Sequence, residues 1–182
     1  VISNCISFLE EHSEAGAVGV KMIDANGNFL PESKRAFPSF TASFFKLSGL
    51  ASLFPHSSVF NKYALGNLNE DAIHEVDVLS GAFFLSSKEI LVSLNGFDED
   101  FFMYGEDIDL SYRIQKAGYK NYYLAGTTII HFKGESTRRG SLNYVKMFYN
   151  AMSIFVRKHY DGTRAGIFNA SINFAIWIRA II

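Results

Sequence analysis

Between positions 98 and 109 the chain carries six carboxylates, Asp98, Glu99, Asp100, Glu106, Asp107 and Asp109. Four bulky residues, Phe101, Phe102, Met103 and Tyr104, stand in their midst. A solvated acidic loop has no use for such a run, and a core segment does not carry six acids. Glu106, Asp107 and Asp109 fall in the first turn of a helix expected over residues 106–117, where the helix dipole favours negative charge. That accounts for one or two of the carboxylates. The functional reading is a cleft with an aromatic wall and a carboxylate held at a helix head. Apolar sugar faces pack on aromatic rings, and an ionised Asp beside a sugar hydroxyl is a candidate general base. A calcium loop fits poorly, because DEDFFMYGEDID lacks the D-x-[DN]-x-[DN]-G spacing and bulky residues interrupt its acids.

The elements that must hold this loop alternate between helix and strand, which gives an α/β class. Asn4 is placed to cap a first helix with Ile6, Phe8 and Leu9 on its apolar face. GAVGVKMI, residues 16–23, reads as a short buried strand, and DANGN, residues 24–28, as a turn. Residues 31–70 are aromatic and broken by Pro38 and Pro55. They read either as a substrate-facing flap or as an irregular packed insertion. HEVDVLSGAFFLSS, residues 74–87, reads as a strand bent at Gly81. Ser86 and Glu89 have capping-box spacing for a short helix that Gly96 ends. In the 106–117 helix Leu110, Ile114 and Ala117 share one stripe, and Gly118 terminates it. YKNYYL and TTIIHF read as two further strands, and Tyr144, Phe148, Met152 and Phe155 recur at helical spacing as a packing stripe.

The 182 residues, 48% hydrophobic and 19% charged, suit one globular domain with a sizeable core. A formal net charge of -1 gives no general attraction to nucleic acid or anionic membrane. The single Cys5 rules out an internal disulfide and a cysteine zinc cluster, and reads as a small residue on a helix face.

SGAFFL, GFDEDFFMYGEDIDLSYRI, KAGY and IIHFKGES follow one another in order, with EAGAVGVKMIDANGNF and KRAFPS upstream. Together they resemble the C-terminal half of the catalytic domain of family 2 glycosyltransferases, of the bacterial rhamnosyltransferase type, over residues 5–160. The resemblance implies a partial Rossmann-like A-type glycosyltransferase fold, a mixed sheet flanked by helices. It also implies inverting transfer from a nucleotide-diphosphate sugar to a saccharide or lipid-linked acceptor in surface polysaccharide synthesis. The place would be the cytoplasm, at the inner face of the membrane. By resemblance Asp107 matches the general base and Glu106 helps to hold acceptor or sugar. Asp98 and Glu99 match positions near the acceptor pocket or brace the loop, and Tyr104 walls the cleft. Gly81 and Ala82 line the donor-sugar pocket, where small residues leave room for a ring. His131 matches a position that reaches metal or diphosphate in related enzymes, with Mn2+ a better imidazole partner than Mg2+. Its alternative is a packed histidine ending a strand. Arg138 and Arg139 suit a diphosphate leaving group, or read as solvated surface.

One departure stands out. The family's Asp-x-Asp motif holds the divalent ion, but Asp98-Glu99-Asp100 and Asp107-Ile108-Asp109 both lie in the acceptor-side stretch. The expectation is therefore a fragment, inactive alone. It would lack the N-terminal nucleotide-binding half and the main metal ligands. Residues 1–160 would be the acceptor-side part of the catalytic domain and residues 161–182 an apolar C-terminal helix. The other reading is a non-catalytic carbohydrate-binding or assembly module of the same fold. The tail RAGIFNASINFAIWIRAII is too short and too polar for a transmembrane helix. It is left between a membrane surface, a partner subunit, its own core, and the start of a longer hydrophobic segment.

Overall fold

The computed structural model describes residues 1–132 and 142–160, with the single positions 162, 166 and 170. Its elements are helices α1 (Ile2–Glu11), α2 (Phe40–Leu47), α3 (Leu50–Leu53), α4 (Lys88–Ser93), α5 (Glu106–Lys116) and α6 (Leu142–His159), and strands β1 (Ala15–Ile23), β2 (His74–Val76), β3 (Leu85–Ser86) and β4 (Lys120–Ile130). The four strands form one sheet in the order β2-β4-β1-β3. The central pair β1 and β4 is parallel, and both edge strands are antiparallel to their neighbours. The fold is thus α/β with a mixed sheet, as the alternation of patterns predicts.

Successive residues of β1 point to opposite faces, and each face is covered by its own helix. Val18, Val20 and Leu124 pack with Cys5 of α1 on one side. Ala17 and Tyr123 pack with Leu110 and Ile114 of α5 on the other. Helix α6 forms an outer layer, with Met152, Phe155 and Val156 buried against Val78, Phe101 and Ile108. The side chains of Tyr144 and Phe148 from the expected stripe lie outside the described residues, as do Arg138, Arg139 and most of the apolar tail. Among the described residues no helix is long and apolar enough to cross a membrane.

Three local expectations need correction. Asn4 does not cap α1: the helix starts at Ile2 with Val1 as its N-cap, so Asn4 lies inside the first turn. The cap of α4 is Ser87, whose hydroxyl accepts from the Ile90 N–H, while Ser86 donates to the Gly16 carbonyl across the sheet. YKNYYL and TTIIHF are one strand, not two. Val20 pairs with Leu124 and Lys21 with Thr128, so β4 bulges over residues 125–127 and continues.

The largest difference lies in residues 74–87. They form two short strands on opposite edges of the sheet, not one bent strand. The chain between them crosses the sheet face at Gly19, where a methyl would stand 2.8 Å from Leu79 Cδ2. The crossing segment is held by side chains rather than by a ladder. Gln115 Nε2 donates to the Val76 carbonyl at 3.2 Å, the Ser111 hydroxyl accepts from Leu79 N–H at 3.3 Å, and Asn121 Nδ2 donates to the Asp77 carbonyl at 2.9 Å. On its far side Arg35 and Val78 exchange both backbone hydrogen bonds.

Residues 31–70 contain a turn of 3-10 helix (Pro31–Ser33), α2 and α3. Phe60 packs its ring on Phe45 and Phe54 at centroid distances of 5.0 and 5.1 Å, so the insertion holds an aromatic cluster of its own.

Close approach of α5 to the sheet rests on Gly16. A methyl there would come within 2.4 Å of Ile114 Cγ2 and 2.6 Å of Tyr119 Cβ. Gly16→Ala should therefore destabilise the protein by roughly 1–3 kcal/mol through overpacking, as read from urea unfolding midpoints.

Candidate active site

Helix α5 begins at Gly105, which has φ +89 and carries no capping side chain. Glycine serves there twice. Its backbone is left-handed, and a methyl would meet Phe101 Cδ1 at 3.0 Å and Ala151 Cβ at 3.2 Å. Acids fill the first turn and Arg113 and Lys116 the last, which complements the dipole at both ends. Gly118, with φ +93, ends the helix as expected.

The six carboxylates sort into three environments. Asp98 and Asp100 both pair with Lys158 of α6, and Asp98 also accepts the Asp100 N–H at 3.0 Å. The hydrogen bond from Lys158 holds the Asp98 carboxyl below the usual range. Asp98 is therefore a brace of the loop, and Glu99 beside it is exposed. Asp109 is fully buried. It accepts from Arg113 Nε and lies against His159 Nε2, each at 2.6 Å. Arg113 also donates to the Leu94 and Gly96 carbonyls, so Asp109 ties α5 to α6 and to the turn after α4.

Asp107 and Glu106 form the third environment. Asp107 Oδ2 accepts from Arg35 Nη2 at 2.6 Å and from the Gly81 N–H at 3.0 Å, and Oδ1 accepts from the Ile108 N–H at 2.8 Å. The side chains of Arg35 and Asp107 are only 14% and 13% exposed. Burial by itself would weaken the hold of Arg35 on its proton, but Asp107 and then Tyr63 more than offset this, so its pKa is raised. Glu106 stands next to this pair with Oε2 buried and without a hydrogen-bond partner. Burial first, and then the like charge of Asp107, push the Glu106 carboxyl up, against a backbone hydrogen bond and Arg35.

The structure thus brings Asp107, Glu106 and Gly81 together. A methyl at Gly81 would lie 3.6 Å from Asp107 Cβ and 3.7 Å from Glu106 Oε1, in contact with both acids. Ala82 follows, exposed, in the same turn. The expected aromatic wall divides. Phe101 is buried under α6, Tyr104 packs half-buried on the same cluster at φ +67, and Phe102 is 89% exposed. His131 directly follows β4, with its N–H on the Ile23 carbonyl. Arg35 is not among the site residues expected from sequence. KRAFPS is visible as a motif, but nothing local says that its arginine meets a carboxylate 72 positions away.

The described residues do not fit a divalent ion. Both Asp-x-Asp sequences are engaged by cationic side chains, and no cluster of three or more His, Cys, Asp or Glu gathers among the described residues.

The mixed α/β sheet flanked by helices is the fold that the resemblance implies. The comparisons with known proteins agree. Over 148 residues, 81% of its length, the chain is 30% identical to N-acetylglucosaminyl-diphospho-decaprenol L-rhamnosyltransferase from two strains of Mycobacterium tuberculosis. Over 63 residues, 35% of its length, it is 40% identical to rhamnosyltransferase WbbL of Escherichia coli K12. The chain is rhamnosyltransferase-like, a relative of glycosyltransferases. It spans 47% of the mycobacterial proteins and its match covers 24% of the Escherichia coli one, so it represents about half or less of these relatives. No family model matches it.

Keeping a buried carboxyl at Glu106 has a measurable consequence. Its folded pKa is raised, so its contribution to stability is fully present below the unfolded pKa and is lost as pH rises through the folded one. Glu106→Gln should raise the melting temperature at about pH 7 and change it little at about pH 4, in a thermal-melt series over pH.

Proposed function

We propose that the protein carrying this chain is an inverting glycosyltransferase, with Asp107 as general base. The observation that supports this reading most is the placement of Asp107 and Glu106 at the head of α5 beside Gly81. Oδ2 of Asp107 is held by Arg35 and Gly81. In the proposed step Asp107 takes the proton of an acceptor hydroxyl as that oxygen attacks the anomeric carbon. The bond from that carbon to the diphosphate breaks on the opposite face, so configuration inverts. Glu106 holds the acceptor or the transferred sugar, and Phe102 offers an exposed ring to a sugar face.

The donor in this reading is a nucleotide-diphosphate sugar and the acceptor a saccharide or lipid-linked saccharide of surface polysaccharide synthesis. The reaction would take place at the cytoplasmic face of the membrane, with peripheral attachment. The names of the relatives make a nucleoside-diphosphate L-rhamnose and N-acetylglucosaminyl-diphospho-decaprenol the first pair to assay. A requirement for Mn2+ or Mg2+ belongs to the proposal, and no step above is routed through the ion. His131, Arg138 and Arg139 are proposed on the diphosphate side.

One observation favours a second reading. A carboxylate already held by Arg35 and two N–H groups suits a binding site, and a non-catalytic carbohydrate-binding or assembly module would keep it.

The full-length protein should be screened for transfer and hydrolysis of nucleotide sugars with Mn2+ and with Mg2+. Asp107→Asn should lower turnover roughly 100-fold to 10,000-fold, the usual share of a general base, while donor binding stays nearly unchanged and the melting temperature falls because Arg35 loses its buried charged partner. Retention of most of the turnover would show that Asp107 is not the base. Sugar binding without transfer by any donor would favour the binding module.

A further inference from the structure

We propose that Arg35 is a positioning residue for Asp107, holding the carboxylate of the reacting pair in one orientation through a guanidinium anchored on the Leu79 carbonyl. The inference rests on the reading of Asp107 as general base. It starts from the backbone. Arg35 N–H donates to the Val78 carbonyl at 3.2 Å, and Val78 N–H to the Arg35 carbonyl at 2.9 Å. The arginine is therefore fixed to the crossing segment that leads to Gly81. From there Nη2 reaches the Leu79 carbonyl at 3.0 Å and Asp107 Oδ2 at 2.6 Å. The Gly81 N–H meets the same oxygen at 3.0 Å.

An aspartate rotates broadly about its last side-chain bond, so a carboxylate at a helix head has no fixed plane by itself. Two donors on Oδ2, together with the Ile108 N–H on Oδ1, remove that freedom and set the plane of the carboxylate. The planar guanidinium serves this better than an ammonium, because its donors keep a constant angle. Stability alone is a weak reason for the pair. Withdrawing two charges from water offsets most of their attraction, and packed apolar side chains of similar size do as well. Arg35 Nε is moreover buried without a hydrogen-bond partner.

Three variants of the full-length protein test this, Arg35→Ala, Arg35→Lys and Asp107→Asn, with nucleoside-diphosphate L-rhamnose and N-acetylglucosaminyl-diphospho-decaprenol as substrates. A misplaced reacting group costs about 100-fold. Arg35→Ala should therefore lower kcat by about that factor with both KM values within about twofold. Guanidinium ion added to the Ala variant should restore part of kcat, and Arg35→Lys should recover only a small part. If the Ala variant does not fold, the Lys variant carries the test through the same split between kcat and KM. A loss that follows the melting temperature, a raised KM with unchanged kcat, or a folded Ala variant that guanidinium does not rescue would make Arg35 structural and overturn the inference. Turnover retained by Asp107→Asn would instead overturn the reading of Asp107, whatever the arginine variants do.

Discussion

The match between one face of α5 and the extended chain beside it decides where the chemistry can be. Gln115, Ser111 and Asp107 are spaced by four along the helix, and each bonds the backbone of the crossing segment, at Val76, Leu79 and Gly81 in turn. Four helical residues rise about 6 Å, close to the about 6.6 Å that the two extended residues from Leu79 to Gly81 advance, and one step further down the helix Gln115 spans two carbonyls, reaching that of Asp77 at 3.5 Å as well as that of Val76. Asp107 is the last rung. Because it is bonded as part of that row, the segment that passes from one edge of the sheet to the other delivers Gly81 beside it. Arg35 locks the segment from its other side by pairing with Val78. If this register slipped, the carboxylate, the glycine and the arginine would no longer meet.

A second set of contacts holds the other half of the loop still. Lys158 gathers Asp98 and Asp100, and the buried Asp109 joins Arg113 and His159. Both sets reach α6, and Phe101 inserts under the same helix. The acids of the loop thus divide by partner. Those with cations from α5 and α6 hold the frame, while Asp107 pairs with Arg35 and Glu106 stands beside them. The result is a site whose first residues have little freedom, and in which one carboxyl, Glu106, is kept partly out of water with an unsatisfied oxygen.

Much of this is legible in the amino-acid order alone. A short Val-rich run bounded by glycine marks β1, and acids followed by an apolar stripe and Gly118 mark α5 with nearly its observed ends. The motif order within residues 76–136 points to the glycosyltransferase likeness that the relatives bear out. Other features mislead for identifiable reasons. HEVDVLSGAFFLSS has the composition of a strand, but its middle is bound by side chains of α5 and by Arg35, and so leaves the sheet. TTIIHF reads as separate because residues 125–127 carry small and turn-forming side chains, which a parallel ladder accommodates as a bulge. Asp109 reads as a helix-start acid, since its partner His159 lies 50 positions away.

The sequence by itself determined the kinds of elements, the helix head that concentrates acids, and the chemical class those acids suggest. These follow from local propensities and short spacings, which a linear reading contains. Only the tertiary structure decided which cation each carboxylate meets, that Arg35 is the partner of Asp107, and that Gly81 stands beside both Asp107 and Glu106. Those outcomes depend on contacts between residues far apart in the chain, and burial and charge pairing are set by such contacts rather than by neighbours in sequence.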